Sequence, residues 1–271
     1  MSDPLVMAGS VADVAGDERW LTPVERERAA RFRRDSDRRA FVAAHLLVRH
    51  CAAAYLDLPP DRVTLLQHCE VHGPGHGRPY LEQAPELGVS LSHSRDHVCA
   101  AVGAGRVGVD CEQIPEGPLD EGLAAQVLAP RERAWVRDNA DLIRLWTRKE
   151  ALIKRGELTL DRLREMDLSP LDPHDTPPPA PDPHDTAPPT PDPHDTTPTG
   201  QGPREAAPSG PGSQRTDPAG RQNPHERAAS RARAWFTPHG WHLLEWRTEG
   251  GVVVSIVTDG PPRYLPIPRL S

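Results

Sequence analysis

The sequence predicts an α+β fold in two lobes. Two long runs of helical periodicity, short alternating apolar runs near each, and a Gly103-Ala104-Gly105 break between them carry that prediction. The first lobe is expected at residues 1–104 and the second at residues 105–271. An insertion is expected to interrupt the second lobe at about residues 170–230.

Each element has a local cause. Thr22 offers a cap, Pro23 suits the first helical position and Glu25 completes the capping pattern, so a helix is expected over 22–32. A longer helix is expected over 35–56, where Phe41, Ala44, Leu47, Val48, Cys51 and Tyr55 recur on one face and Pro59-Pro60 ends it. Strands follow at 63–66, 89–92, 98–102 and 107–112, with a turn-rich stretch at 72–79. Helices are expected at 131–139 and 141–155, the second stopped by Gly156. Residues 160–168 read as a short helix or strand. A closing hairpin is expected from 241–247 and 251–258, where apolar residues on both alternating sets indicate a buried pair.

Composition separates the insertion from the rest. The chain holds 32 prolines, and 17 of them lie in residues 170–230. That stretch has one large apolar residue, Leu171, and no aromatic. It cannot bury enough apolar surface to offset the entropy of ordering it, so a disordered, partly polyproline loop is expected. Its units LDPHDTPPPA, PDPHDTAPPT and PDPHDTTPTG repeat in tens but have no apolar face to stack as a solenoid. Of the net charge of −7, −5 lies in this stretch. The remainder has no basic tail or basic domain, which excludes a nucleic-acid role, and no run of eighteen apolar residues, which excludes a membrane span. Cys51, Cys69, Cys99 and Cys111 lack disulfide-framework spacing and read as reduced thiols of a cytoplasmic protein.

Two segments carry chemistry. In Gly108-Val109-Asp110-Cys111-Glu112, Asp110 and Glu112 are two apart on a strand, so both carboxylates leave the same face. Paired acids of this kind suit magnesium, which takes one or two carboxylates and completes its shell with water and phosphate; a solvated strand end explains them as well. In Trp146-Thr147-Arg148-Lys149-Glu150-Ala151-Leu152-Ile153-Lys154, Glu150 and Lys154 form an i, i+4 pair, which could also be an ordinary helix salt bridge. Lys149 and Lys154 are the two lysines of a chain with thirty arginines. A compact ammonium differs from the broad guanidinium fork, so both lysines read as groups for a tight phosphate-bearing site. His93, in Ser92-His93-Ser94, and Arg78, after Gly77, are weaker candidates for anion contacts. Cys69, His72 and His76 have zinc-like spacing but supply only three clean ligands, and the repeat histidines His174, His184 and His194 offer at most loose metal binding.

Taken in order, Arg78-Pro79-Tyr80-Leu81, Ser92-His93-Ser94, Gly108 to Glu112 and Trp146 to Lys154 resemble the two-lobed, Sfp-type 4′-phosphopantetheinyl transferases, over roughly residues 20–165. The resemblance implies a monomer of two pseudo-symmetric lobes, each a small antiparallel sheet packed on a long helix, with coenzyme A between them. It implies Asp110, Glu112 and Glu150 as ligands of Mg2+, Lys154 and Lys149 at the pyrophosphate, and Glu150 as the base for a carrier serine. Arg78 and His93 would bind the 3′-phosphate and nearby nucleotide groups, with Ser92 in the same motif and Arg28 and Arg38 or Arg39 assisting. The partners implied are apo carrier domains of polyketide, nonribosomal-peptide or fatty-acid synthases. A non-catalytic coenzyme A binder, or an adaptor using its proline-rich repeat, is the alternative.

Overall fold

The computed structural model describes residues 2–71, 73–171 and 232–268. The chain opens with strand β1 (Leu5–Ser10), helix α1 (Pro23–Ala30) and helix α2 (Asp35–Leu56). Strands β2 (Leu65–Cys69), β3 (Gly73–Leu81), β4 (Gly88–Ser94), β5 (His97–Gly103) and β6 (Val107–Gln113) follow. Helices α3 (Glu121–Val127) and α4 (Asn139–Arg155) come next, and β7 (Arg233–Phe236), β8 (His242–Arg247), β9 (Val252–Thr258) and β10 (Arg263–Tyr264) close the chain. The fold is α+β, as the sequence predicts.

The strands form two four-stranded sheets and a hairpin. The first sheet runs β10-β1-β5-β4, the second runs β6-β9-β8-β7, and β2 pairs with β3. Alternation sorts the core into layers. Leu5, Met7, Val98 and Ala100 turn to α2 and meet Leu47 and Cys51. Val6, Ala8, Cys99 and Ala101 turn the other way and meet Val109, Cys111, Val254 and Ile256 of the second sheet. The outer face of that sheet packs on Leu142, Leu145 and Leu152 of α4 through Leu243 and Val257. Every residue of β5 and β9 is therefore buried.

The helices start where the local chemistry says they should. Thr22 Oγ accepts the Glu25 N–H while Glu25 accepts the Thr22 N–H at 2.6 Å, and Pro23 fills the first position of α1. Glu25 does more than cap. Its carboxylate is buried and pairs with Arg49 at 2.7 Å and with His45 Nδ1 at 2.6 Å, stapling α1 onto α2. Gly156 ends α4 in the left-handed region at φ 86°, and its N–H donates to Ile153 and Leu152 carbonyls.

Several elements differ from expectation. The helix expected over 131–139 is a 3-10 turn, Glu132–Ala134, because Glu132 turns inward to a buried pair and Asp138 becomes the extended N-cap of α4. The turn-rich stretch is mostly β3, whose Gly73, Gly75 and Gly77 adopt positive φ without leaving the hairpin. β1, α3, β7 and β10 are additions. Arg263 and Tyr264 pair with β1, so the last described strand returns to the first sheet rather than staying with the second. The proline-rich repeat lies outside the described residues; of the stretch read as the insertion, Leu171 sits buried in a short 3-10 turn, and its carbonyl accepts from Arg148.

Two packing features give measurable expectations. A Cβ on Gly108 would fall 1.9 Å from the Ala151 carbonyl oxygen, so β6 lies against α4 only because residue 108 has no side chain. Gly108→Ala is expected to lower stability by about 1–3 kcal/mol or more, read as a fall in the urea midpoint. Burial pushes the Glu25 carboxyl up, but hydrogen bonds from His45 and Arg49 outweigh it and hold the group at about 2. A carboxyl depressed on folding contributes stability above its unfolded value near 4.5 and loses it as pH falls toward about 2. Wild-type stability should fall across that window, and Glu25→Gln should flatten the dependence while costing roughly 3–5 kcal/mol at pH 7.

Candidate active site

Three serines of β4 build the floor of the site. β4 and β6 belong to different sheets but run side by side, joined through side chains. Ser90 Oγ accepts the Val109 N–H at 3.0 Å. Ser92 Oγ donates to Asp110 Oδ1 at 2.7 Å. Ser94 Oγ donates to Glu112 at 2.9 Å and accepts the Gln113 N–H at 3.2 Å. The two-residue period of each strand keeps serines and acids in step.

Asp110 is 2% exposed. Its Oδ1 also receives Lys154 Nζ at 2.6 Å, whereas its Oδ2 is buried with no hydrogen-bond partner. Glu112 and Glu150 are half-buried beside it. Burial and the Asp110 charge push both carboxyls above the ordinary glutamate range; the Ser94 hydrogen bond opposes this at Glu112 and the Lys154 charge opposes it at both. Burial works against the Lys154 ammonium, but Asp110 outweighs it, so that ammonium is held more tightly protonated than usual. The acids thus carry more negative charge than the neighbouring cation neutralises.

A cavity of about 510 Å3 opens beside this cluster, lined by Arg28, Phe41, His45, Arg78, Ser92, His93 and Lys154 among others. It has the size of a small-molecule site. His93 is held below its ordinary value by burial, by the neighbouring His45 ring and by the cations Lys154 and Arg28. The Arg28 guanidinium lies 5.4 Å over the Phe41 ring and donates to the Gly75 carbonyl at 2.8 Å. Arg78 donates to the Lys154 carbonyl at 3.0 Å and to the Arg155 carbonyl, capping the C-terminus of α4 at the cavity wall.

Two residues expected in the site lie elsewhere. Lys149 is fully buried on the other side of α4, where Glu132 and the Val127 and Leu163 carbonyls take its ammonium. The reason is helical geometry: residue 149 shares its face with Leu145 and Leu152, not with Glu150 and Lys154. Arg39 is exposed and pairs with Asp35 at 3.5 Å, one turn away on the outside of α2. Among the described residues, no three His, Cys, Asp or Glu side chains are gathered closely enough to hold a metal ion. That covers Cys69 and His76, with His72 outside the described residues. It also means the three-acid cage expected of Asp110, Glu112 and Glu150 is not closed, with Lys154 on Asp110 instead.

Sequence reasoning missed Phe41, His45, Gln67 and Ser94. Phe41 reads as core and does pack as core, but it also forms a wall of the cavity. Ser94 was visible only as part of Ser92-His93-Ser94; its period-two match to Ser92 and to the acids was the available signal. No disulfide joins the four cysteines, and burial pushes Cys51 up to about 12. Cys111, between the two acids, faces the inter-sheet core, where burial and Cys99 push it up as well. Among the described residues no helix is long and apolar enough to cross a membrane.

Comparison with known proteins bears on this geometry. Residues 106–198 match the family model of the 4′-phosphopantetheinyl transferase superfamily. Over 136 residues the chain is 32% identical to 4′-phosphopantetheinyl transferase psf-1 of Bacillus pumilus, covering 48% of this chain and 55% of that protein. It is 27% identical over 153 residues to a 4′-phosphopantetheinyl transferase of Bacillus subtilis, covering 52% and 64%. It is 27% identical over 115 residues to 4′-phosphopantetheinyl transferase gsp of Aneurinibacillus migulanus, covering 40% and 44%. The matched stretches span less than two thirds of each of these relatives. The family match covers β6 and α4, the two elements that carry the acids and Lys154, so the similarity to the 4′-phosphopantetheinyl transferase superfamily falls on the candidate site.

Proposed function

We propose that this chain transfers the 4′-phosphopantetheine moiety of coenzyme A to a serine of an apo carrier protein, releasing 3′,5′-ADP. One observation carries the reading. A buried carboxylate with an unpartnered oxygen, Asp110, sits between a cleft lysine and two further acids at the mouth of a basic cavity. The relatives are named for this activity.

The donor chemistry suits a hard divalent cation, with Glu112 and Glu150 still to be drawn in to Asp110. The donors are all carboxylate oxygen, which suits magnesium, and the Asp110 Oδ2 atom lacks a partner of its own. Asp110, Glu112 and Glu150 would hold it, and bound magnesium would neutralise charge on the diphosphate of coenzyme A. The protein's own groups supply the rest. Arg28, Arg78 and His93 line the cavity with cationic and hydrogen-bonding groups for the 3′-phosphate and nucleotide. Lys154 supplies an ammonium for the diphosphate. Glu150, whose carboxyl is shifted up by burial and by Asp110, accepts the proton of the carrier serine. The serine oxygen then bonds the β-phosphorus, the bond from that phosphorus to the bridging oxygen breaks, and 3′,5′-ADP leaves with that oxygen. Carrier domains of polyketide, nonribosomal-peptide and fatty-acid synthases are the partners to test.

The test is mass spectrometry of an apo carrier protein incubated with the chain, magnesium and coenzyme A. The carrier should gain one phosphopantetheine arm. Asp110→Asn, Glu112→Gln and Glu150→Gln should each slow transfer by about a hundredfold or more. Full activity in all three would discard the site assignment, and nucleotide binding without transfer would favour the non-catalytic alternative. Independently of turnover, magnesium should raise the unfolding temperature of the wild type and not that of Asp110→Asn.

A further inference from the structure

Lys149 and Glu132 form an ion pair in which both side chains are 0% exposed. Lys149 Nζ lies 2.6 Å from Glu132 Oε2 and donates to the Val127 carbonyl at 2.8 Å and the Leu163 carbonyl at 3.0 Å. All three ammonium protons are used. Glu132 is equally committed: Oε2 accepts the Ala129 N–H at 2.7 Å and Oε1 accepts the Leu168 N–H at 2.8 Å. One turn of α4 is therefore tied to the end of α3, to the turn at 132 and to two points on the segment that leaves α4.

Stability is a poor reason for such a pair. Burial acts on the Lys149 ammonium strongly enough to hold it below its ordinary value even with Glu132 beside it. Apolar side chains of similar volume commonly fill such a space at equal or better stability. What they cannot supply is direction. The Lys149–Glu132 bond and the four charge-assisted bonds the pair makes to backbone groups fix the rotation of the helix about its axis as well as its depth. The same turn carries Glu150, the next residue, about 100° around the helix and facing the acids of β6.

We propose that the Lys149–Glu132 pair is a positioning device that aims the Glu150 carboxylate at β6 by fixing the rotation of α4. Lys149 then acts through its neighbour and touches no substrate. The proposal rests on the transferase reading of the site.

The experiment compares the wild type with the double variant Lys149→Met/Glu132→Leu, which removes both charges together, and with Glu132→Gln, which keeps the shape. Urea midpoints, kcat and the KM for coenzyme A are measured for each. The double variant should unfold near the wild-type midpoint, yet its kcat should fall by about tenfold to a hundredfold with KM changed less than about twofold. Glu132→Gln should show the same split between kcat and KM, which keeps the test open if the double variant does not fold. A double variant with wild-type kcat overturns the proposal. So does a raised KM at unchanged kcat, which would make Lys149 a phosphate contact. If the wild type transfers nothing, the transferase reading is what has failed, and the pair is then read from magnesium-induced stabilisation. That shift should shrink in the variants, and an unchanged shift overturns the proposal.

Discussion

The edges of β4 and β6 meet with serine hydroxyls in place of a shared ladder, and the rest of the site depends on that seam. The hydroxyls answer groups on β6 that face the seam: the buried N–H of Val109, a carboxylate oxygen of Asp110, a carboxylate oxygen of Glu112 and the N–H of Gln113. A buried N–H left unpaired costs about as much as a lost hydrogen bond, so the seam tolerates one register. Once that register is set, alternation puts both acids on one face and Val109 and Cys111 on the other. Gly108 then lets α4 close over the acids, and Lys154 arrives at Asp110. Fold and site are therefore specified by the same few contacts.

Four buried or half-buried acids divide by how well their charge is answered. Glu25 has His45 and Arg49, and Glu245 has Arg148 and Arg144; in both cases burial is outweighed and the carboxyl is held down. These acids staple elements together. Glu112 and Glu150 have neighbouring acid instead, and they are pushed up. The same side chain thus serves as a clamp where cations surround it and as an unfinished electrostatic site where they do not. The contrast singles out, without reference to any relative, the cluster on which the proposed function rests.

Much of this was legible in the residues. Asp110 and Glu112 on one strand face, and Glu150 with Lys154 on one helix face, follow from periods of 2 and 3.6 alone. The scarcity of lysine was legible too, but it had two causes. Lys154 stands in the cleft, whereas Lys149 is a compact ammonium that fits among three oxygens in a closed interior. Spacing places residue 149 on the face of Leu145 and Leu152, and nothing in the sequence names Glu132 as its partner seventeen residues earlier. β1 was missed because a short apolar run near a chain start gives no pairing signal until β5 is placed beside it. β3 was missed because glycine and proline mark turns, yet here three glycines at positive φ are absorbed into a hairpin. β10 is two residues long and exists only through its pairing with β1.

The Gly103-Ala104-Gly105 segment reads as a break between lobes in sequence, but its surroundings hold it closely. A Cβ on Gly103 would meet Pro4, and one on Gly105 would meet Asp259. The Ala104 N–H donates to Tyr55 Oη at 3.2 Å, and the Arg106 N–H donates to Asp259 at 2.8 Å. Asp259 also takes Arg155 at the end of α4, and the chain after it returns to pair with β1. Opening the two sheets about residues 103–105 would break these contacts together with the serine seam and the inter-sheet core. The glycines are there for close approach rather than for motion. On the proposed reading, substrate is met by side chains moving on this frame, chiefly Lys154, Glu112 and Glu150, which stay partly open to the cleft.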